Sequence, residues 1–348
     1  MLKERFLKYF PVTQHVSVDE AMIPYFGRHG AKQFLRNKPV RFGYKIWCIC
    51  TPSGYLANFE PYEGAGTGEK SQLGVGGSVV VRLVDELPKH RYCVYTDNFF
   101  TSIPLITTLA DKGVALTGTI RANRTQKCPL KDLKREPRGS MDHRKTSNSV
   151  LVVSWNDNNV VNVASSVHGV QPTRQTERYS VAQKMRVKIN QPRAIEQYNR
   201  FMGGVDRMDQ NVSLYRIGIR SKKWWWPMLA GFIDMAMQNA WLIYRVSDAN
   251  RNRKLDQLAF RSEVVTVYLQ RHVAERSTRS LSSRIRPSRN ADIRVPSSIR
   301  FDGQDHVQEA METQRRCIQC GNASRNKCKK CQTPLHNRCS AKFHTKPQ

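Results

Sequence analysis

Four aspartates and a knot of cysteines and histidines have the types and spacing to do chemistry. Asp19 follows the alternating pair Val16 and Val18. Asp97 follows the short run Tyr92-Cys93-Val94-Tyr95-Thr96, and Asp206 and Asp209 come just after Gly203-Gly204. Carboxylates that converge near strand ends of an open α/β sheet sit where such sheets bind ligands. Magnesium takes a few carboxylates together with water and phosphate oxygens. Two such ions about 4 Å apart can clamp the attacking and leaving oxygens of phosphoryl transfer. If residues 206–209 are helical, Asp206 and Asp209 share one face. Spacing alone does not separate these aspartates from caps, turns and solvated surface.

The tail reads Cys317-x2-Cys320-x7-Cys328-x2-Cys331-x4-His336-x2-Cys339-x4-His344. Two C-x2-C pairs can each pinch one Zn²⁺, which takes four N/S ligands in tetrahedral geometry. So short a segment has too little apolar surface to fold without a staple. Seven ligands leave one place open, and His306 is the candidate for it, with plain surface as the alternative. Cys48, Cys50 and Cys93 lie in strand-like runs and read as core thiols.

The elements that must position these groups can be followed along the chain. Phe42–Thr51 and Tyr55–Glu60 are strand candidates across the Pro52-Ser53-Gly54 turn. Val79–Leu87 reads as helix, Tyr92–Tyr95 as strand, Ser102–Lys112 as helix stopped by Gly113, and Val114–Ile120 as strand. The order implies α/β with a mixed sheet. Residues 124–190 turn polar and then β-rich, with Val150–Trp155 and Val160–Val163 flanking an Asn/Asp turn. Helix returns over 191–247, where Leu229, Phe232, Ile233, Ala236, Ala240 and Ile243 repeat at helical spacing. Residues 248–304 read as a basic linker. From about 271 to 300, Arg271, Arg276, Arg279, Arg284, Arg286, Arg289, Arg294 and Arg300 face only Glu275 and Asp292. Residues 305–348 form the cysteine-rich module.

Across 348 residues, 57 Lys and Arg stand against 28 Asp and Glu, a formal net charge of +29. Such a chain attracts polyanions, and a dedicated binder of cations is disfavoured. No run is apolar enough to span a membrane, because Asp234, Gln238 and Asn239 interrupt the best candidate. The start is no secretory signal, so an intracellular protein is expected.

Six strings, taken together and in order, resemble the piggyBac family of cut-and-paste DNA transposases. They are Ser17-Val18-Asp19-Glu20-Ala21-Met22, Asn37-Lys38-Pro39-Val40-Arg41-Phe42-Gly43-Tyr44-Lys45, Thr96-Asp97-Asn98-Phe99-Phe100-Thr101-Ser102 and Gly118-Thr119-Ile120-Arg121-Ala122-Asn123-Arg124. Further on come Tyr198-Asn199-Arg200-Phe201-Met202-Gly203-Gly204-Val205-Asp206-Arg207-Met208-Asp209-Gln210 and Arg220-Ser221-Lys222-Lys223-Trp224-Trp225-Trp226-Pro227. The chain looks closest to the transposable element-derived branch of that family.

The resemblance implies an RNase H-like core over 1–123 and 191–247, with the β-insertion at 124–190. It implies a DDE/D site in which Asp19, Asp97, Asp206 and Asp209 hold Mg²⁺ or Mn²⁺. It implies nicking at transposon ends, a hairpin intermediate and joining at TTAA, in the nucleus, by a homodimer. Lys38, Lys45, Arg121, Arg124, Arg220, Lys222 and Lys223 are the candidates for phosphate contacts. Trp226 matches the family position that stacks on a base, with packing against the following helix as its alternative. The tail resembles a cross-brace zinc finger with eight ligands. Only 18 residues precede Asp19, where the family carries a long region for dimerisation and DNA binding. A truncated, non-autonomous transposase is therefore one expectation, and a domesticated, non-catalytic nuclear DNA-binding protein is the other. A plain nuclease would leave the tail and the Trp-Pro stretch unexplained.

Overall fold

Side chains two apart along a strand share a face, and alternating apolar residues from His15 onward build a sheet with a core on each side. The computed structural model describes residues 1–36, 38–64, 71–146, 149–181, 183–248, 254–279 and 295–346. It divides into two units, Met1–Arg271 and His272–Gln348.

In the first unit α1 (Leu2–Lys8) precedes β1 (His15–Pro24), β2 (Lys32–Phe34), β3 (Phe42–Cys50) and β4 (Leu56–Pro61). Then come α2 (Gly74–Asp85), β5 (Cys93–Thr96), α3 (Ile103–Asp111) and β6 (Ala115–Thr119). The main sheet runs β2-β3-β1-β5-β6-β9-β8-β7, with β4 also paired to β3. Here β7 is Met141–Lys145, β8 is Leu151–Asn156 and β9 is Val160–Ser165. β1, β5 and β6 are parallel, whereas β3 against β1 and β4 against β3 are antiparallel. This is the mixed α/β architecture that the order of elements implied. The β-rich stretch extends the main sheet, because β9 pairs antiparallel with β6. A separate hairpin, β10 (Arg174–Ser180) with β11 (Met185–Gln191), completes it.

Val16, Val18, Val94 and Leu116 face one core with Val80 and Leu83 of α2 and Leu105 and Leu109 of α3. Ser102 caps α3, its Oγ accepting from the Leu105 N–H at 3.3 Å. Ala21, Ile23, Ile46, Cys48 and Cys50 face another core under α5 (Gly204–Leu214) and α6 (Trp226–Val246), which follow α4 (Arg193–Phe201). Cys48, Cys50 and Cys93 are buried free thiols, as their strand positions implied.

Helix α6 corrects the apolar periodicity. Its buried face holds Asp234, Gln238 and Asn239, while Leu229 and Ile233 are each 44% exposed. The reason is backbone pairing. Asn239 accepts from the Leu56 N–H and donates to the Leu56 carbonyl, both at 2.8 Å. Gln238 donates to the Gly54 carbonyl at 2.9 Å, and Asp234 takes the Ile217 N–H and the Arg261 guanidinium. Asn239 is thus satisfied through both its oxygen and its nitrogen, while Gln238 bonds through Nε2 alone and its buried Oε1 has no partner.

Within the stretch read as a linker, α7 (Gln257–Arg279) is a helix that composition did not suggest. Arg284, Arg286, Arg289 and Arg294 lie outside the described residues. The second unit contains α8 (Ser297–Arg300), a sheet ordered β12 (Gln308–Arg316), β13 (Ala323–Cys328), β14 (Thr333–Pro334), and α9 (Asn337–His344). Among the described residues no helix is long and apolar enough to cross a membrane.

Candidate functional site

Two parallel strands set the first pair of carboxylates. Val18 of β1 pairs with Thr96 of β5, so Asp19 and Asp97 each stand one residue beyond a paired position. The sequence placed Asp19 at a strand end, but β1 runs on to Pro24 because β3 stays paired with it as far as Gly43. What ends there is β5. Asp97 leaves the sheet in a tight turn, its Oδ1 accepting from the Phe99 N–H at 2.9 Å. Gly118 lets the turn pack close: a Cβ there would lie 2.2 Å from Thr101 Oγ1 and 2.5 Å from the Thr96 carbonyl.

Helix α5 carries the second pair. Asp206 and Asp209 are three residues apart on it and share a face. Gly204 at its start lies against β1, where a Cβ would meet the Thr51 carbonyl at 2.4 Å and Ser17 Oγ at 2.6 Å. The absent side chain therefore lays the helix over β1 two residues before Asp19. A cleft of about 260 Å³ is lined by Glu20, Lys38, Asp206, Asp209 and Arg216, among others.

Charge is crowded in this region. Burial pushes the Asp19 carboxyl up to about 8, with Glu20 adding to the rise and Lys38 opposing it. Burial likewise raises Asp97, against hydrogen bonds from the Phe99 and Phe100 backbone. Asp209 is raised by burial while Arg216 and Lys38 pull it down. For Lys38, burial lowers the ammonium, but Asp19, Glu20 and Asp206 outweigh it and hold it above its ordinary value. Its Nζ pairs with Glu20 at 3.2 Å. A divalent cation would relieve the desolvation of these carboxylates, whereas among the described residues the groups that already bring three or more ligand atoms within 4.8 Å of one another are two Cys/His sets in the tail. Glu20 and Arg216 belong to this constellation and were missed in the sequence. Glu20's place beside Asp19 was the available signal.

The basic candidates divide by surroundings. Arg121 donates to Asn98 Oδ1 at 3.2 Å, and Arg124 Nη1 donates to the Phe99 carbonyl at 2.6 Å. Both guanidiniums brace the turn that carries Asp97. Lys45 lies over the Trp47 and Tyr62 rings, 4.1 and 4.0 Å from their centroids. Arg220, Lys222 and Lys223 are exposed. Trp226 donates through Nε1 to the Ile219 carbonyl at 2.7 Å, whereas Trp224 and Trp225 are 48% and 43% exposed. Trp224 already stacks on the His29 ring, 4.4 Å between centroids, so Trp225 is the more open stacking surface, a distinction that the run of three tryptophans hid.

In the tail the ligand candidates fall into two interleaved sets. Cys317, Cys320, His336 and Cys339 form one, and His306, Cys328, Cys331 and His344 the other, with donor atoms in each set within 4.8 Å of one another. His306 thus joins the second set as its fourth member. Each histidine has its other ring nitrogen against an oxygen. His336 Nε2 faces the Ala323 carbonyl at 2.9 Å, His344 Nδ1 the Ser340 carbonyl at 2.8 Å, and His306 Nε2 Asp302 Oδ1 at 2.9 Å. These partners take the ring N–H and leave the nitrogen that faces the cysteines free to ligate. Burial pushes the Cys317 thiol up, but backbone N–H groups of His336, Cys320 and Gln319 bring it down to about 6. Cys331 is pushed up to about 11 by burial and by Cys328 beside it. Sulfurs gathered this closely can all be deprotonated comfortably only around a cation, and both sets are compatible with zinc.

Comparison with known proteins adds to this geometry. A family model described as Transposase IS4 matches residues 1–241. The human PiggyBac transposable element-derived protein 3 is 40% identical over 352 aligned residues, covering 99% of this chain and 57% of that protein. The human PiggyBac transposable element-derived protein 2 is 39% identical over 347 residues, covering 97% and 57%. The chain therefore spans little more than half the length of these relatives. A cryo-EM structure of the piggyBac transposase synaptic complex with hairpin DNA matches with a TM-score of 0.63 at 20% identity, over 97% of this chain and 70% of that one.

Proposed function

The chain belongs to the piggyBac/IS4 family of transposase domains, and from that premise we propose that its first unit is a metal-dependent DNA strand-cleaving and strand-transferring core acting at TTAA sites in the nucleus. The observation that carries the proposal is the placement of Asp19 on β1 and of Asp97 just past the end of the adjacent parallel strand β5, with Asp206 and Asp209 on a helix laid over β1. Asp19, Asp97, Asp206 and Asp209 would hold Mg²⁺ or Mn²⁺. Bound there, the ions would neutralise phosphate charge and favour an oxygen nucleophile.

The chain's own residues do the rest. Arg121 and Arg124 fix the Asp97 turn, Lys38 offsets the carboxylate charge, and Arg220, Lys222 and Lys223 meet the DNA backbone beside Trp224 and Trp225. The structural relative is a complex with hairpin DNA, which supports a DNA partner here. Assembly as a homodimer and zinc in both tail sets belong to the same reading.

One observation favours the second reading, a DNA-binding protein without catalysis. Lys38 stands among the carboxylates and pairs with Glu20, where its ammonium takes part of a metal's electrostatic place. Nicking of DNA carrying matched transposon ends, in Mg²⁺ or Mn²⁺, decides between the two. The transposase reading expects cleavage that Asp97→Asn abolishes while duplex affinity is kept or slightly raised, since a charge that repels phosphate is gone. Cleavage by Asp97→Asn at the unmodified rate would refute the carboxylate assignment. DNA binding with no cleavage by the unmodified chain would favour the second reading.

A further inference from the structure

The β10–β11 hairpin treats its two faces differently. Its register sets Thr176 against Ile189 and Arg178 against Val187 on one face, and Glu177 against Lys188 and Tyr179 against Arg186 on the other. On the first face Ile189 is buried, and Val187 packs against the cluster around Trp155. The arginines there are already answered. Arg178 pairs with Asp157 at 3.0 Å, and Arg174 with Glu196 at 3.1 Å. On the second face Glu177, Tyr179, Arg186 and Lys188 are all exposed, as is Lys184 in the turn just before β11. The two cations of that face and Lys184 at its turn meet one carboxylate, Glu177, which is 3.9 Å from Arg186 and 54% exposed. A solvated pair of that kind is weak and leaves most of the positive field outside.

We propose that this outer face of the β10–β11 hairpin docks on the phosphate backbone of duplex DNA, through Lys184, Arg186 and Lys188 with Tyr179 beside them. The shape suits the partner. The major groove of B-form DNA admits a two-stranded β-ribbon, while the deep, narrow major groove of A-form RNA does not. Backbone contacts of this sort position a protein without reading sequence. The inference rests on the DNA-processing reading above and adds a contact remote in sequence from residues 220–226.

The test uses the full chain, a labelled DNA duplex and fluorescence anisotropy between about 50 and 200 mM salt. Each lost phosphate contact lowers the steepness of log Kobs against log salt by about 0.9. The combined variant Lys184→Gln, Arg186→Gln, Lys188→Gln should therefore bind more weakly and flatten that slope by up to about 2.7. Glu177→Gln should tighten binding. Arg178→Gln, on the inner face, should lower the melting temperature and leave the slope alone. An unchanged slope in the triple variant, alongside weakened binding by Lys222→Gln with Lys223→Gln, overturns the hairpin assignment and leaves the transposase reading standing. An equal loss on an A-form RNA duplex also overturns it. Failure of the unmodified chain to bind duplex DNA sinks both. Cleavage that survives Asp97→Asn, with the triple variant still flattened, removes the catalytic reading and keeps this surface.

Discussion

The two clusters of ligating side chains stand in opposite relation to the fold around them. The carboxylates ride on a sheet with its own cores: Val16, Val18, Val94 and Leu116 on one side, Ile23, Ile46 and Met208 on the other. In the tail the buried cluster is Cys317, Cys328, Cys331, Leu335 and Phe343, so three of its five buried members are ligand candidates. In the large unit, stability supports a site that is itself destabilising. In the small one, stability and site are the same residues.

Removing metal should expose this difference most sharply. The full chain should carry two zinc ions by inductively coupled plasma analysis. A strong zinc chelator should erase hydrogen-exchange protection in β12, β13 and α9 while β1 and β5 keep theirs. Protection in the tail that outlasts its zinc would erase the contrast.

Gly204→Ala should strike the opposite side. Its Cβ would lie 2.4 Å from the Thr51 carbonyl, backbone that cannot swing away. We expect a loss of about 1–3 kcal/mol, of the size typical of overpacking, and loss of cleavage. Denaturant midpoints read the first, and exchange in α9 should not change. An unshifted midpoint would mean that the helix does not need this approach.

Much of the first cluster was legible in the sequence. The apolar alternation around Asp19 places it on a strand, the short run before Asp97 places that residue just past a strand's end, and the Gly-Gly pair opens the helix that bears Asp206 and Asp209. Less legible was anything decided by tertiary pairing. β1 continues past Asp19 only because β3 stays beside it. The buried face of α6 is polar because its amides pair with backbone at Gly54 and Leu56, 184 and 183 residues away in sequence. Periodicity sees hydrophobicity and not hydrogen-bond partners, so it chose Leu229 and Ile233. In the tail, spacing displayed the ligands, but the sorting into two sets and the inclusion of His306 needed the fold.

Acidity should separate the regions by sign. Asp19 titrates near 8 in the metal-free fold, above its unfolded value of about 4. The folded state then binds more protons across that window, so the stability of the metal-free core should fall as pH rises from about 4 to 8. Added Mn²⁺ should reverse the fall and release protons. The tail should respond the other way, losing zinc as pH falls and protons compete with the metal for its cysteines and histidines. Thermal melts for the core and zinc release for the tail, followed over the same pH range, check both; a metal-free core that gains stability between pH 4 and 8 would count against the Asp19 assignment.

The smallest effect concerns α3. Ser102→Ala removes a cap from the helix that follows the Asp97 turn and should lower the stability of the first unit by about 1 kcal/mol, with zinc content unchanged. A denaturant midpoint equal to that of the unmodified chain would show that the cap contributes nothing.

The amide of Asn239 has a consequence of another kind. Strand β4 lies beside β3, and strand margins with free backbone groups recruit other chains. At Leu56 the Asn239 side chain already takes both the N–H and the carbonyl, as a neighbouring strand would. At the far end Pro61 has no N–H to offer. A side chain on one end and a ring on the other thus guard this margin against self-association. Asn239→Leu should open it, and light scattering on mild warming would register the clumping.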